Sequence, residues 1–221
     1  MSRYKYIIWD WNGTLLDDLD ICINVMNEML NKRSLPLLDS DRYKEIIEFP
    51  IVNYYRKLGF DFSVESFEVL AIEYISKYQK DSLHANLNKD AIEILKCIQA
   101  GGIEQVILSA SQIDNLVEQV NHFKIDSYFK SLIGLENCHA VSKISAGKSW
   151  LQKMDVNNKE VLLIGDTSHD FQTAKELGCD CLLIAIGHEC KNKLIAHGVP
   201  VIDDLQTVKA YLNLEASNEK Q

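Results

Sequence analysis

Apolar residues run unbroken over residues 6–9 and give way to a polar turn at residues 10–14. This marks a buried strand ending in a bend, where Gly13 permits a sharp change of direction. Over residues 18–33 the period changes, and Ile21, Val25, Met29 and Leu30 fall on one face of a helix. Pro36 interrupts the chain. Asp39, Ser40 or Asp41 can cap a second helix that runs to about Leu58, and Gly59 stops it. Ser63 can cap a third, with Phe67, Leu70, Ile75 and Tyr78 on its apolar side. The stretch from Asp17 to about Ala85 therefore reads as wholly helical.

From Asn88 onward helices and strands alternate. Asn88 caps a helix that ends at Gly101-Gly102. Residues 105–108 form a short buried strand closing on Ser109-Ala110-Ser111, residues 112–123 are helical, and residues 132–134 make a short strand. Residues 145–154 form a helix and residues 160–164 a strand ending in Gly165-Asp166. Residues 171–177 are helical until Gly178. Residues 181–186 form a strand, residues 199–202 a weaker one and residues 207–212 a closing helix, before a polar tail over residues 213–221. This alternation predicts an α/β fold, a Rossmann-like parallel sheet with helices on both faces. The all-helical stretch interrupts the alternation just after the first strand, as a cap inserted over the ligand end of the sheet would. The expected division is a discontinuous core of residues 1–16 and 86–221 and a helical cap of residues 17–85.

A chain of 221 residues suits one large domain or a core with a smaller insert, and 47% hydrophobic content fills a core. The net charge of −9 argues against a general binder of nucleic acid or anionic membrane. It leaves room for a phosphorylated metabolite where a metal ion reverses the local field. No apolar run approaches the roughly 18 residues of a membrane span, and the first apolar run is a strand's length, so no leader is expected. Six cysteines are sparse for a disulfide scaffold. Cys179 and Cys181 lie close together, but a zinc site would need a second paired cluster, which is missing. Reduced thiols, a cytoplasmic setting, and a monomer or weak dimer are expected.

Three strand ends carry chemistry: Asp10 on the first, Ser109 on the second, and Asp166, followed four residues on by Asp170, on a later one. In a parallel sheet all three face one crevice. Carboxylates crowded together raise each other's pKa unless a cation lies between them. Oxygen-only ligation by Asp10, Asp166 and Asp170 suits Mg²⁺, and such a site beside a hydroxyl and a lysine is a set for handling phosphoryl groups.

These residues make the sequence resemble the haloacid dehalogenase superfamily, in its phosphatase branch, over nearly the whole chain. Asp10-Trp11-Asn12-Gly13-Thr14 looks like the family's first motif, Asp-x-Asp-Gly-Thr. Ser109 falls at the second, and Gly165-Asp166-Thr167-Ser168-His169-Asp170 matches the fourth, Gly-Asp-x-x-x-Asp. The helical insert is similar to the cap of the phosphoglycolate phosphatase type. Lys143 and Lys148 both qualify as the third-motif lysine; Lys143 is favoured because Lys148 falls inside the helix. The resemblance implies that Asp10 is a nucleophile forming an aspartyl phosphate. It implies that Asp10, Asp166, Asp170 and the backbone carbonyl of Asn12 hold Mg²⁺. Ser109, Lys143 and the amides around Trp11, Gly13 and Ala110 would bind phosphate oxygens, with Thr14 bracing the turn. Arg56, in the insert, is a candidate contact for a substrate anion.

Asn12 departs from the pattern. The family's phosphatases carry Asp there as acid and then base, and an amide has no proton to exchange at useful pH. A good leaving group would answer this, as would a proton shuttled by another residue, with His169 near in sequence, or a weakly active phosphatase. The expected function is a Mg²⁺-dependent phosphohydrolase acting on a small phosphorylated metabolite. The alternatives are a phosphonate C–P hydrolase using an imine-forming lysine such as Lys57, and a phosphate-binding regulatory protein.

Overall fold

The computed structural model describes residues 2–135 and 142–214. Strand β1 (Tyr6–Trp9) runs into the short β2 (Leu16–Asp17), and four helices follow: α1 (Leu19–Lys32), α2 (Ser40–Ile46), α3 (Ile51–Lys57) and α4 (Phe67–Ser82). The chain returns through β3 (Asn86–Leu87), α5 (Ala91–Ala100), β4 (Glu104–Gln112), α6 (Ile113–His122) and β5 (Ser131–Leu135). It closes with α7 (Lys143–Met154), β6 (Val161–Gly165), α8 (Ser168–Leu177), β7 (Asp180–Ile184), α9 (Lys191–Ile195), β8 (Val201–Ile202) and α10 (Thr207–Tyr211).

Among the described residues, six strands form one parallel sheet in the order β5-β4-β1-β6-β7-β8, the α/β architecture that the alternation predicts. Strand β1 is buried on both faces: Ile7 and Trp9 join one hydrophobic cluster and Ile8 the other, as a central parallel strand requires. The chain leaves β1 to build β4 and β5 on one side, then crosses to β6 on the other. The ends of β1, β4 and β6 thus meet where the strand order reverses, the usual ligand position in such sheets.

The four helices carry a third cluster of their own, built on Met26, Met29, Leu30, Tyr43, Tyr54, Tyr55 and Leu70. The helix expected to reach Leu58 is two helices, α2 and α3, because a proline disfavours helical geometry in the residue before it, and Pro50 takes the N-cap of α3. Ser66 rather than Ser63 caps α4, accepting from the Val69 amide. Asp17 is not helical: it pairs with Asn86 in an antiparallel ribbon, β2 with β3, at the two crossings into the helical unit. Asn88 does not cap α5; its side-chain amide donates to the carbonyls of Gly13 (3.1 Å) and Thr14 (3.0 Å). Helix α9 is too short for a hydrophobic period to reveal it. Of the expected tail, residues 215–221 lie outside the described residues.

Candidate active site

Asp10 follows β1 directly, and its amide donates to the Ile164 carbonyl of β6 at 2.8 Å. Parallel register, with Trp9 opposite Ile164, sets Asp10 beside Gly165 and one residue from Asp166. Asp170 sits in the first turn of α8, where its Oδ2 accepts from the Thr167 amide (3.0 Å) and hydroxyl (2.7 Å) in a capping box. That box explains why the helix starts three residues earlier than its apolar pattern suggests. All three carboxyls are buried, and one oxygen from each lies within 4.8 Å of those from the other two.

Lys143 opens α7, behind the Ser142 cap. It is 3% exposed, donates to Asp170 Oδ1 at 2.6 Å and pairs with Asp10. Burial pushes its pKa down, but Asp10 and Asp170 outweigh burial and hold it above the ordinary lysine range. Burial and repulsion from Asp170 push the Asp10 carboxyl well up, although Lys143 pulls it down. Burial and Asp170 raise Asp166 to about 6, against the pull of His188. Asp170 is held low: burial raises it, and Lys143 and Thr167 more than compensate. One ammonium thus serves two of three clustered carboxyls.

Asp166 is fixed by the Thr14 hydroxyl (2.8 Å to Oδ1) and the His188 amide (2.6 Å to Oδ2). The backbone passes so close that a Cβ on Gly187 would lie 2.0 Å from Asp166 Oδ2, and one on Gly13 2.4 Å from it. Gly13 also has φ +74°, so both positions exclude other side chains. Clustered, buried, oxygen-only donors with one lysine as counter-charge fit a small hard divalent cation.

Asn12 belongs to a second layer. Its side-chain amide donates to Asp18 Oδ2 (2.8 Å) and the Tyr78 hydroxyl (2.7 Å), and its oxygen accepts from the Ser111 hydroxyl (2.9 Å). Asp18, fully buried, also accepts from Tyr78 (2.6 Å) and from the Gly13 amide (3.0 Å). His188 stands between Asp18 Oδ1, 3.1 Å from Nε2, and the Tyr43 hydroxyl, 3.1 Å from Nδ1. Burial lowers the imidazole's pKa, but Asp18 outweighs this and raises it to about 9. Burial likewise pushes Asp18 up, and His188, Tyr78 and Asn12 bring it below the usual range.

The other expected residues divide. Ser109 is buried within β4, which runs on to Gln112 through a register shift after Leu108 and does not end at Ser109 as expected, and its hydroxyl accepts from the Ser111 amide at 3.0 Å. Ala110 is exposed one residue on. The Trp11 side chain points away into the core, donating to Gln119 at 2.7 Å, so only its backbone can serve a ligand. The Gly13 amide is already engaged, by Asp18 and by the Leu16 carbonyl (2.8 Å). Arg56 is not brought to the site: it is exposed, bonds Asn53 at 2.8 Å and lies over Phe62. Lys148 is on the surface, paired with Glu176 at 2.8 Å. Lys57 faces outward, paired with Glu48. His169 stacks on Phe49 of the helical unit, ring centroids 4.6 Å apart, and burial and Lys143 lower its pKa. Sequence reasoning missed Asp18, Tyr43, Tyr78 and His188. His188 was findable, since Gly187-His188 follows a parallel strand adjacent to the one that ends at Asp166. The two tyrosines, on separate helices, gave no local signal.

Residues 7–184 match the family described as haloacid dehalogenase-like hydrolase; the chain belongs to that family, and is a hydrolase of the phosphatase kind found within it. A phosphoglycolate phosphatase of Pseudomonas savastanoi is 22% identical over 91% of this chain and 77% of its own. A tyrosine-protein kinase of Mycobacterium tuberculosis is also 22% identical, over 83% of this chain and 63% of its own. In structure, the fold is similar to a haloacid dehalogenase-like hydrolase from Streptococcus pneumoniae, with a TM-score of 0.82 and 20% identity, covering 96% of this chain and 99% of the other.

Proposed function

We propose that this chain is a Mg²⁺-dependent phosphohydrolase of small phosphorylated metabolites, with Asp10 as nucleophile and residues 17–85 as its cap. The carrying observation is the buried pairing of Lys143 with both Asp10 and Asp170 at the strand-order reversal. An Asp10 oxygen attacks phosphorus, the bond to the leaving group breaks, and the aspartyl phosphate is later cleaved by water to free phosphate and the original carboxylate. Lys143 opposes the burial and repulsion that raise the Asp10 pKa, favouring the ionised form that attacks, and meets the charge gathering on phosphoryl oxygens. Asp10, Asp166, Asp170 and the Asn12 carbonyl would hold the Mg²⁺, which when bound neutralises negative charge at the phosphate. Thr14 and the His188 amide keep Asp166 oriented, the support that metal ligands commonly need.

The phosphatase named among the relatives supports hydrolysis of a small phosphate ester, while the kinase leaves open which acceptor takes the phosphoryl group. The test is phosphate release from a panel of phosphorylated metabolites, with Mg²⁺ and with chelator, beside ATP with a tyrosine peptide. Release from at least one metabolite is expected, lost on chelation and in Asp10→Asn. Transfer to the peptide, or phosphate binding without release, overturns the reading in favour of a kinase or a phosphate-binding regulator. Borohydride trapping on a phosphonate would favour C–P cleavage instead.

A further inference from the structure

Beside the carboxylate cluster stands a second group of buried metal-ligating side chains, and its chemistry is different. Asp18, Cys22 and His188 each bring one ligand atom within 4.8 Å of the other two. Asp18 is the N-cap residue of α1 and Cys22 lies one turn on, so both stand on one side of that helix start. His188 comes from the segment after β7, on the sheet side. Its ring is packed against the Gly13 backbone, where a Cβ would lie 2.4 Å from the imidazole Cδ2.

The donor set is one carboxylate, one thiol and one imidazole, which suits a borderline-soft divalent cation such as Zn²⁺ and not Mg²⁺. The spacing suits it too. Tetrahedral zinc, with bonds of about 2.0 Å to nitrogen and oxygen and about 2.3 Å to sulfur, sets N and O about 3.3 Å apart and S and O about 3.5 Å apart. Here Asp18 Oδ1 is 3.1 Å from His188 Nε2, and Asp18 Oδ2 is 3.6 Å from Cys22 Sγ. Asp18 turns a different oxygen to each partner, so its carboxylate can meet an ion through either or both. The ligands are also braced from behind. The other imidazole nitrogen, Nδ1, is bonded to the Tyr43 hydroxyl, and Asp18 is held by Asn12, Tyr78 and the Gly13 amide. A metal-bound histidine usually gives its second nitrogen to such an outer partner. Burial, with Asp18 adding to it, raises the Cys22 thiol well above its ordinary range, so a thiolate forms here only opposite a cation. One thiolate and one carboxylate then balance a divalent charge that burial would otherwise penalise.

We infer that Asp18, Cys22 and His188 form a second metal site, for Zn²⁺ or a cation like it, distinct from the oxygen-only cluster of Asp10, Asp166 and Asp170. The Cys22 thiol gives its proton to solvent as the ion binds, and the ion replaces the direct bond between Asp18 and His188. Asp18 and Cys22 stand at the start of the helical unit and His188 on the sheet side, so an ion held by all three pins the unit's first helix to the core.

Co²⁺ is the probe, because its bond to a thiolate absorbs strongly in the near ultraviolet and cobalt among oxygens alone does not. Titration of the whole protein with Co²⁺, in excess Mg²⁺, should give that band and saturate near one equivalent. Cys22→Ser should remove the band, and His188→Gln should weaken Co²⁺ binding by about tenfold or more. Asp10→Asn should leave the band unchanged. X-ray absorption on the Zn²⁺-loaded wild type needs no variant to fold: one sulfur neighbour at about 2.3 Å, beside nitrogen and oxygen, is expected. A shell of oxygen alone, a thiolate band that persists in Cys22→Ser, or no saturable Co²⁺ binding would overturn the inference. None of these readouts is turnover, so they stand or fall apart from the phosphatase reading.

Discussion

At the scale of single residues, Asn12 is matched to its surroundings. Its amide is one of the donors that the buried Asp18 carboxylate takes, beside Tyr78 and the Gly13 amide. Asn12→Asp would set two carboxyls against each other in the same burial, so one must take up a proton. The variant should lose about 1–3 kcal/mol of stability, as expected when a buried acceptor loses its donor. The reversed pair, Asn12→Asp with Asp18→Asn, should regain at least half of that in denaturant unfolding, and additive losses would mean that the two residues do not interact. On an alkyl phosphate, Asn12→Asp should raise turnover by about tenfold or more, a discounted share of what a positioned acid–base group supplies. A fall instead would show that another group carries the proton. Lys143→Met should lower turnover by about a hundredfold or more and leave Asp10 and Asp170 without their counter-charge, so binding of Mg²⁺ measured by calorimetry should strengthen or hold. Lost Mg²⁺ binding would make the lysine a structural part of the metal site. Asp10, Asp166 and Asp170 were legible because strand ends place them by local pattern, and Lys143 was singled out only through the family resemblance. Asp18 and His188 were not, because their pairing joins residues 170 positions apart.

At the scale of elements, sequence gave the helical stretch and the alternation, and misjudged where elements break. Pro50 divides a helix that capping signals alone would continue, and the Thr167–Asp170 box starts α8 before its apolar face begins. What joins the helices of the unit was not visible either. Arg33, at the end of α1, pairs with Glu65 at 2.6 Å and with Glu73 of α4 at 2.7 Å. The Arg33 hydrogen bond holds Glu65 low, and Arg33 and Lys32 outweigh burial to hold Glu73 low as well. A carboxyl whose folded pKa lies below its unfolded value stabilises the fold above the unfolded value, and that contribution disappears as pH falls through the folded one. Arg33→Met should therefore lower Tm by a few degrees at neutral pH. The gap from wild type should be full above about pH 4.5, the usual glutamate value, and shrink below it. A gap independent of pH would assign Arg33's role to its contact over Phe60 and its bond to the Met29 carbonyl.

At the scale of the whole molecule, the helical unit rests on the sheet through a few separable contacts. Phe49 stacks on His169, the Cys190 amide donates to the Lys44 carbonyl at 3.3 Å, and the Lys193 ammonium donates to the Ile47 carbonyl at 2.9 Å. All three tie the α2–α3 side of the unit to α8 and α9. The opposite tie is the ribbon of β2 and β3, where Asp17 pairs with Asn86. This two-stranded ribbon carries both crossings, so it is where a movement of the helical unit would pivot. The α2–α3 contacts are then the latch, and a stack involving a phenylalanine 42% exposed is its weakest part. Phe49→Ala should speed hydrogen exchange at residues 44–50 and 187–193 without changing exchange in β1 or β6. Adding Mg²⁺ with a phosphate mimic to the wild type should change protection at residues 17–19 and 85–87, where the pivot lies. If exchange at all these segments is the same in both proteins and both ligand states, the helical unit is a fixed roof, and substrate must reach Asp10 without its movement.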